Sequence, residues 1–330
     1  MVKLRLISIL ALAGLSMPVA WTQPVLIDTD AGSDDFMAIA FLLSHPSVRI
    51  EAITVANGIA HVEAGARNLV RLLELAGRRE IPVFAGRSAA LRGKAEFPAE
   101  WRRISDELPG VTLPNATRQP QTLRAADYLI ERLKNGRPPV RILALGPLTN
   151  LGEALQRDPS IAEGIQEVVI MGGAVRAPGN LTDGDVFHTA NKSAEWNMFI
   201  DPWAARIVFR SGVHIRLIPL DATNKVPIGA EFLNEFQSRV RSPLGRLIAQ
   251  VLTADRQMID EGYFYAWDPL AGVALLYPRV VKTSSLRIEI RQDPPEEGRT
   301  MQTAGSPNAD VAMDADAGAF RKIFLGAFEK

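Results

Sequence analysis

The stretch "DTDAGSDD", residues 28–35, sets four aspartates, Asp28, Asp30, Asp34 and Asp35, between the apolar runs "PVLI" and "FMAIAFLL". Carboxylates at this density repel one another, and a strand end beside a hydrophobic core solvates them poorly. Asp34 or Asp35 could cap a helix starting near Phe36, where a carboxylate gains about 0.3–1 kcal/mol from the helix N-terminus. That accounts for one or two acids, not four. Several carboxylates in a water-poor place shift toward protonation unless a cation sits among them. The chain has no cysteine, and its four histidines, His45, His61, His188 and His214, show no metal-ligand spacing. A cation here is held by oxygen alone. Such a ligand set selects calcium or magnesium, and the flexible, many-ligand option is calcium.

The elements around the aspartates alternate. "PVLIDTD", "IEAITVAN", "IPVFAG", "VRILALG", "EVVIMGG" and "IRLIPLD" read as buried parallel strands. Between them lie helical stripes: "FMAIAFLLSH", "HVEAGARNLVRLLELAG" closed by Gly77, "RAADYLIERLKNG", "LGEALQR", and "DPWAARIVFRSG" with Asp201 as N-cap and Pro202 after it. This order predicts an α/β fold: a doubly wound, mainly parallel sheet with helices on both faces. Ligands of such sheets sit outside the strand carboxyl ends. The aspartate loop, "ALGPLTN", "IMGGAV" and "IPLDATNK" all fall there, with residues 87–122 and 174–200 as candidate loops over that rim.

Composition narrows the classes. The 330 residues are 47% hydrophobic, and 37 Lys+Arg balance 37 Asp+Glu, so no net field recruits nucleic acid or an anionic membrane. Without cysteine, disulfides and thiolate catalysis are excluded. Lys3 and Arg5 precede the short apolar stretch "LISILALAGLSMPVA". We expect residues 1–22 to be a secretory signal peptide, residues 23–330 a single domain, and the product periplasmic or secreted, with no membrane attachment after cleavage.

"DTDAGSDD" resembles the D-T-D-x-G-x-D-D signature of the inosine–uridine-preferring nucleoside hydrolase family. "AGARNLVRLLELAG", "IPVFAG", "LALGPLTNL", "EVVIMGG", "AEWNMFIDPWAA", "IPLDATNKV" and "WDPLAGVALLYP" agree with that family in order and spacing. The resemblance implies an α/β enzyme that hydrolyses the N-glycosidic bond of ribonucleosides with bound calcium, as a homo-oligomer acting on a small nucleoside. It implies Asp30, Asp35, the Leu145 carbonyl and Asp268 as calcium ligands, with Asp30 also taking the proton from the attacking water. It implies Asp34 and Asp268 on the ribose hydroxyls, and Asn180, Glu195 and Asn197 on the other edge of the sugar. Asn191 is the alternative to Asn180, and Asn57 stands near a further ribose-facing position. The physics agrees: a divalent cation acidifies water, and anionic groups stabilise the oxocarbenium-like sugar of the transition state.

Many members carry His before the "DP" of the last calcium ligand, and His in the loop after the third strand. Here the first position is Trp267, and no His lies between 61 and 188. The chain instead resembles the purine-preferring branch, which sandwiches the base between tryptophans: Trp267, Trp101 and Trp196 are the candidates. Two other classes fit the aspartates: a non-catalytic nucleoside- or sugar-binding protein, and a metal-dependent phosphohydrolase opening with a strand and D-x-D. The second lacks the Thr or Val usual two residues after its second Asp, where this chain has Gly32.

Overall fold

The structure, a computed structural model, describes residues 24–134, 137–182 and 187–329; the expected leader, 1–22, lies outside them. Nine strands form one sheet: β1 (Val25–Thr29), β2 (Ile50–Val55), β3 (Val83–Ala85), β4 (Val140–Ala144), β5 (Ile165–Met171), β6 (Ile215–Ile218), β7 (Val281–Ile290), β8 (Thr300–Thr303) and β9 (Ala309–Ala315). Their order is β3-β2-β1-β4-β5-β6-β9-β7-β8. The seven from β3 through β9 run parallel, and β7 and β8 close the edge antiparallel. The expected fold is therefore present, with an antiparallel edge built from the last fifty residues.

Strand side chains alternate between faces, and each face has its own core. Val25, Ile27, Ile53 and Leu143 point into one apolar cluster with the helices Ser33–Leu43, Val62–Leu75 and Trp267–Leu276. Leu26, Ala52, Ile142 and Ala144 point into another with Ala125–Leu133, Thr149–Arg157 and Pro202–Arg210. Burial on both faces explains why these strands read as continuous apolar runs rather than alternating ones. Among the described residues no helix is long and apolar enough to cross a membrane.

The first three strands run outward as 1-2-3, and the chain then returns to the other side of β1. The switch point falls between β1 and β4, where a crevice opens at the carboxyl ends. The aspartate loop leaves β1 at that point and "GPLTN" leaves β4. Two details differ from expectation. The first helix begins at Ser33, not near Phe36, because Asp35 accepts the Gly32 N–H at 2.9 Å and closes the first turn. The stretch 87–122 contains a helix, Ala99–Glu107, and 174–200 ends in a short one, Trp196–Ile200.

Candidate active site

The four aspartates divide in two. Asp28, still within β1, turns into the core: its Oδ1 accepts from Thr54 Oγ1 at 2.7 Å and Asn150 Nδ2 at 2.8 Å. Burial lifts its pKa to about 6. It ties β1 to β2 and to the helix Thr149–Arg157 that follows β4. The other three converge beyond the strand end. Ala31, at φ +60, takes a left-handed turn rare for a residue with a Cβ, and its N–H is held by Thr29 Oγ1 at 3.1 Å. After that turn, Asp34, Asp35 and Asp268 each bring a carboxylate oxygen within 4.8 Å of the others.

Asp268 lies 233 residues beyond Asp35 in sequence, on the first turn of Trp267–Leu276, a helix that packs along Ser33–Leu43. Asp30 stands beside the trio. Its Oδ2 accepts the Ile59 N–H at 2.9 Å, and it faces Asp35, whose charge, after burial, keeps the Asp30 carboxyl protonated well above the usual range. Burial and the neighbouring Asp35 push Asp34 to about 8, while burial and the charges of Asp35, Asp34 and Asp30 hold Asp268 well up. Burial also raises Asp35, against bonds from Thr29 and Gly32 that pull it down. Asp30, Asp35 and Asp268 are only 2–3% exposed. Among the described residues no Lys, Arg or His forms an ion pair with any of the four. Burying one unpaired ion costs several kcal/mol, far beyond what a helix N-terminus returns. The donor set, all hard oxygen and all anionic, fits a divalent cation.

The trio differs by one member from the set expected for a metal. Asp34, expected on the ribose, is gathered with Asp35 and Asp268, whereas Asp30 is turned toward Ile59. Leu145 is 1% exposed with its carbonyl at the end of β4, where one lone pair accepts from Asn197 Nδ2 at 2.8 Å. Its side chain is core, so Leu suits a position whose working atom belongs to the main chain.

Glu195 caps the helix Trp196–Ile200, accepting the N–H groups of Asn197 at 2.9 Å and Met198 at 3.3 Å, and also Gly173 N–H at 2.8 Å. Burial raises it nonetheless. Asn197 bridges the ends of β4 and β5 through Leu145 O and Met171 O. Asn180 accepts the Trp196 N–H at 3.2 Å, and no described residue accepts from its own amide NH2. Asn191, the alternative, is committed elsewhere: its Oδ1 receives Ser193 and Ala194 N–H groups and its Nδ2 donates to Glu297 O. It builds the turn and does not replace Asn180.

The tryptophans fall into two groups. Trp267 is half-buried at the start of its helix, with the Phe264 and Tyr265 ring centroids 5.4 and 6.0 Å away. Trp101 lies edge-on to Trp196, 5.5 Å between centroids. Trp196 is 5% exposed, with Phe97 stacked at 4.7 Å and Phe187 and Phe199 around it. A ring so enclosed backs Trp101 rather than offering a face of its own, a correction to the expectation of three stacking rings.

Sequence reasoning missed several supporting groups. Asp221 of "IPLDATNK" accepts three successive N–H groups, Val175, Arg176 and Ala177, and so fixes the loop after β5. Asp201, read as a helix cap, caps Ala204 N–H as expected and also receives Thr149 Oγ1 and the Leu91 N–H. The polar "TN" after "GPL" was the available signal for Thr149 and Asn150.

Glycine is required where backbone passes Asp30. A Cβ on Gly58 would lie 2.0 Å from Asp30 Oδ2, and one on Gly146 would lie 2.8 Å from the Asp30 N. Gly58→Ala is expected to displace the Asp30 carboxylate or the loop. Turnover should fall at least about tenfold, with a lowered melting temperature, by analogy with the cost of overpacking; full activity in steady-state assays would show that the loop yields freely.

Comparison with known proteins bears on the same site. The family model described as inosine–uridine preferring nucleoside hydrolase matches residues 25–322. The pyrimidine-specific ribonucleoside hydrolase RihA of Citrobacter koseri is 32% identical over 308 residues, 90% of this chain and 95% of the relative. Uridine nucleosidase 1 of Arabidopsis thaliana is 32% identical over 273 residues, covering 81% and 78%. Among solved structures, the plant nucleoside hydrolase PpNRh1 superposes with a TM-score of 0.82 at 29% identity, covering 93% of this chain and 99% of that one. A purine-preferring ribonucleoside hydrolase from Gardnerella vaginalis gives 0.80 at 26%, covering 93% and 98%.

Proposed function

The chain belongs to the inosine–uridine preferring nucleoside hydrolase family, and on that footing we propose that this ribonucleoside hydrolase is calcium-dependent and leans toward purines. The observation that carries the metal is the gathering of half-buried Asp34 with buried Asp35 and Asp268, with no cationic side chain paired to them among the described residues, at the switch point of the sheet. Asp34, Asp35 and Asp268 would hold the ion with the Leu145 carbonyl and Asp30 beside them. Bound there, calcium would acidify water and grip the ribose diol.

The chain's own residues do the rest. Asp30 accepts the proton of the attacking water; the Ile59 N–H fixes one of its oxygens and leaves the other for that work. Asp34 and Asp268 orient the ribose hydroxyls, and Glu195, Asn180 and Asn197 meet the opposite edge, with Asn57 as a further contact. Glu195 is locked by three backbone N–H groups, so its charge is preorganised against the sugar as positive charge develops. Cleavage releases free base and ribose.

The purine preference rests on Trp267 and Trp101 and on the lack of histidine where a leaving pyrimidine would need an acid. A ring face over a protonated purine is worth about 0.5–2 kcal/mol. The relatives point the other way: RihA is pyrimidine-specific by name, and the Arabidopsis relative is a uridine nucleosidase. That makes pyrimidine preference the second reading. Release of free base from inosine, adenosine, guanosine, uridine and cytidine by the mature protein separates them. Trp267→Ala should lower kcat/KM for inosine about tenfold and leave uridine within about threefold; an equal loss on both would remove stacking as the basis of selectivity. The leader-like residues 1–22 support export to a periplasm or the exterior, and the family resemblance supports a homo-oligomer.

A further inference from the structure

We infer that Arg102 is a positioning residue of the nucleoside site: its guanidinium sets the orientation of the Asn57 amide and docks the helix bearing Trp101 against the loop that holds Asp30. The inference rests on the hydrolase activity but on neither its calcium nor its purine component.

Arg102 lies in the helix Ala99–Glu107, directly after Trp101, and is 5% exposed. Its Nη2 donates to Asn57 Oδ1 at 2.7 Å, and Asn57 is 3% exposed. A guanidinium has donors only, so of the two ends of the amide only the oxygen can face it. The bond is charge-assisted and shielded from water, which makes it strong and directional. It leaves the Asn57 NH2 turned away from Arg102, and no described residue accepts from it. That donor sits on the segment whose next two residues are Gly58, packed against the Asp30 carboxylate, and Ile59, whose N–H holds it. A shift of Asn57 is therefore felt at the proton acceptor.

The far end of the same helix grips the same loop. Asp106 accepts the His61 N–H at 2.8 Å and lies 2.6 Å from His61 Nδ1, while Asn68 Nδ2 donates to Asp106 O at 2.9 Å. The His61–Asp106 bonds are exposed to water and the Asn68 bond is part-buried, whereas the Arg102–Asn57 bond is buried. Arg102 is a poor choice if packing were its purpose. Its Nε is buried without a partner, and its ion pair with Glu96 is 3.4 Å long with the carboxylate 62% exposed. An apolar side chain of similar length would pack the helix at least as well. What it could not do is decide which way the Asn57 amide points.

The test is steady-state kinetics with inosine and uridine on Arg102→Ala, Arg102→Lys, Asn57→Ala and the Arg102→Ala/Asn57→Ala double variant, with melting temperatures alongside. Arg102→Ala should lower kcat/KM about 10–100-fold on both nucleosides, the scale of losing one oriented contact. The double variant should be no worse than the weaker single, because the two act as one unit. Guanidinium ion at millimolar levels should restore part of the activity of Arg102→Ala and none of Asn57→Ala. Losses that multiply in the double variant, or an Arg102→Ala within about twofold of the parent, overturn the inference. Should Arg102→Ala fail to fold, Arg102→Lys against Arg102→Gln decides it: lysine keeping clearly more activity supports the tether, and equality overturns it. A parent protein that releases base from no nucleoside would instead fail the hydrolase reading.

Discussion

Asp30→Asn is expected to lower kcat by at least about 10³-fold while nucleoside binding stays within a few-fold of the parent. The substitution conserves volume where Gly58 and Gly146 leave the side chain no room to rotate. Its carbonyl oxygen can still receive the Ile59 N–H that Asp30 Oδ2 receives. The NH2 then stands where the second carboxylate oxygen faced Asp35, and a donor cannot take a proton from water. Base release measures the turnover and calorimetric titration the binding. A variant retaining a tenth of parental turnover would move the proton-accepting role from Asp30 to another of the clustered carboxylates.

The second large effect is on stability after calcium is stripped by prolonged chelation. The folded protein holds Asp28 at about 6, Asp34 at about 8, and Asp30 and Asp268 well above the usual carboxylate range, chiefly through burial. In the unfolded chain the same groups ionise near ~4. Below that pH both states are protonated and the cluster costs nothing. As pH rises from there toward 8, the unfolded chain has released protons that the folded chain still binds, so stability falls. The melting temperature of the stripped protein should therefore climb as pH is lowered from 8 to 5. Carboxylates with lowered pKa values, such as Glu80, Asp158 and Asp314, pull the opposite way, but they sit on the surface, where ion pairs contribute little. Adding calcium back should raise the melting temperature most at pH 8 and flatten the slope. A stripped protein more stable at pH 8 than at pH 5, with calcium adding nothing, would leave the trio without a cation.

These two results would be linked. A cation bound there would neutralise Asp34, Asp35 and Asp268, and Asp30 could then work as a base next to Asp35 without holding its proton too tightly. The raised proton affinities of the stripped site and the activity of the loaded one are two sides of one charge balance.

The amino-acid sequence by itself determined what is local. A density of four aspartates in eight residues, the alternation of short apolar runs with helical stripes, and the absence of cysteine are properties of neighbours along the chain. They suffice for the parallel sheet, for the rim at the strand carboxyl ends, and for an acidic cluster that offers oxygen donors alone. Periodicity reports burial of one face or two, so β1 through β6 were legible strand by strand. The antiparallel edge was less so, because β7 is exposed along much of its length and carries little apolar signal.

Tertiary structure alone decided which polar groups meet. Asp28 was one of four equivalent acids in the sequence, and became a core residue because β1 lies between β2 and β4, bringing Thr54 and Asn150 to its Oδ1. Asp34 joined Asp35 and Asp268 because the helix bearing Asp268 packs along the helix whose first turn carries Asp34 and Asp35. Trp196 looked like a base platform until four rings enclosed it, and Asn191 looked like a ribose contact until its amide was spent on a turn. Arg102 carried no signal at all, since its partner lies 45 residues away. A hydrogen bond needs its two atoms within about 3 Å. Strand order and helix packing, which no local pattern encodes, determine which distant residues come that close.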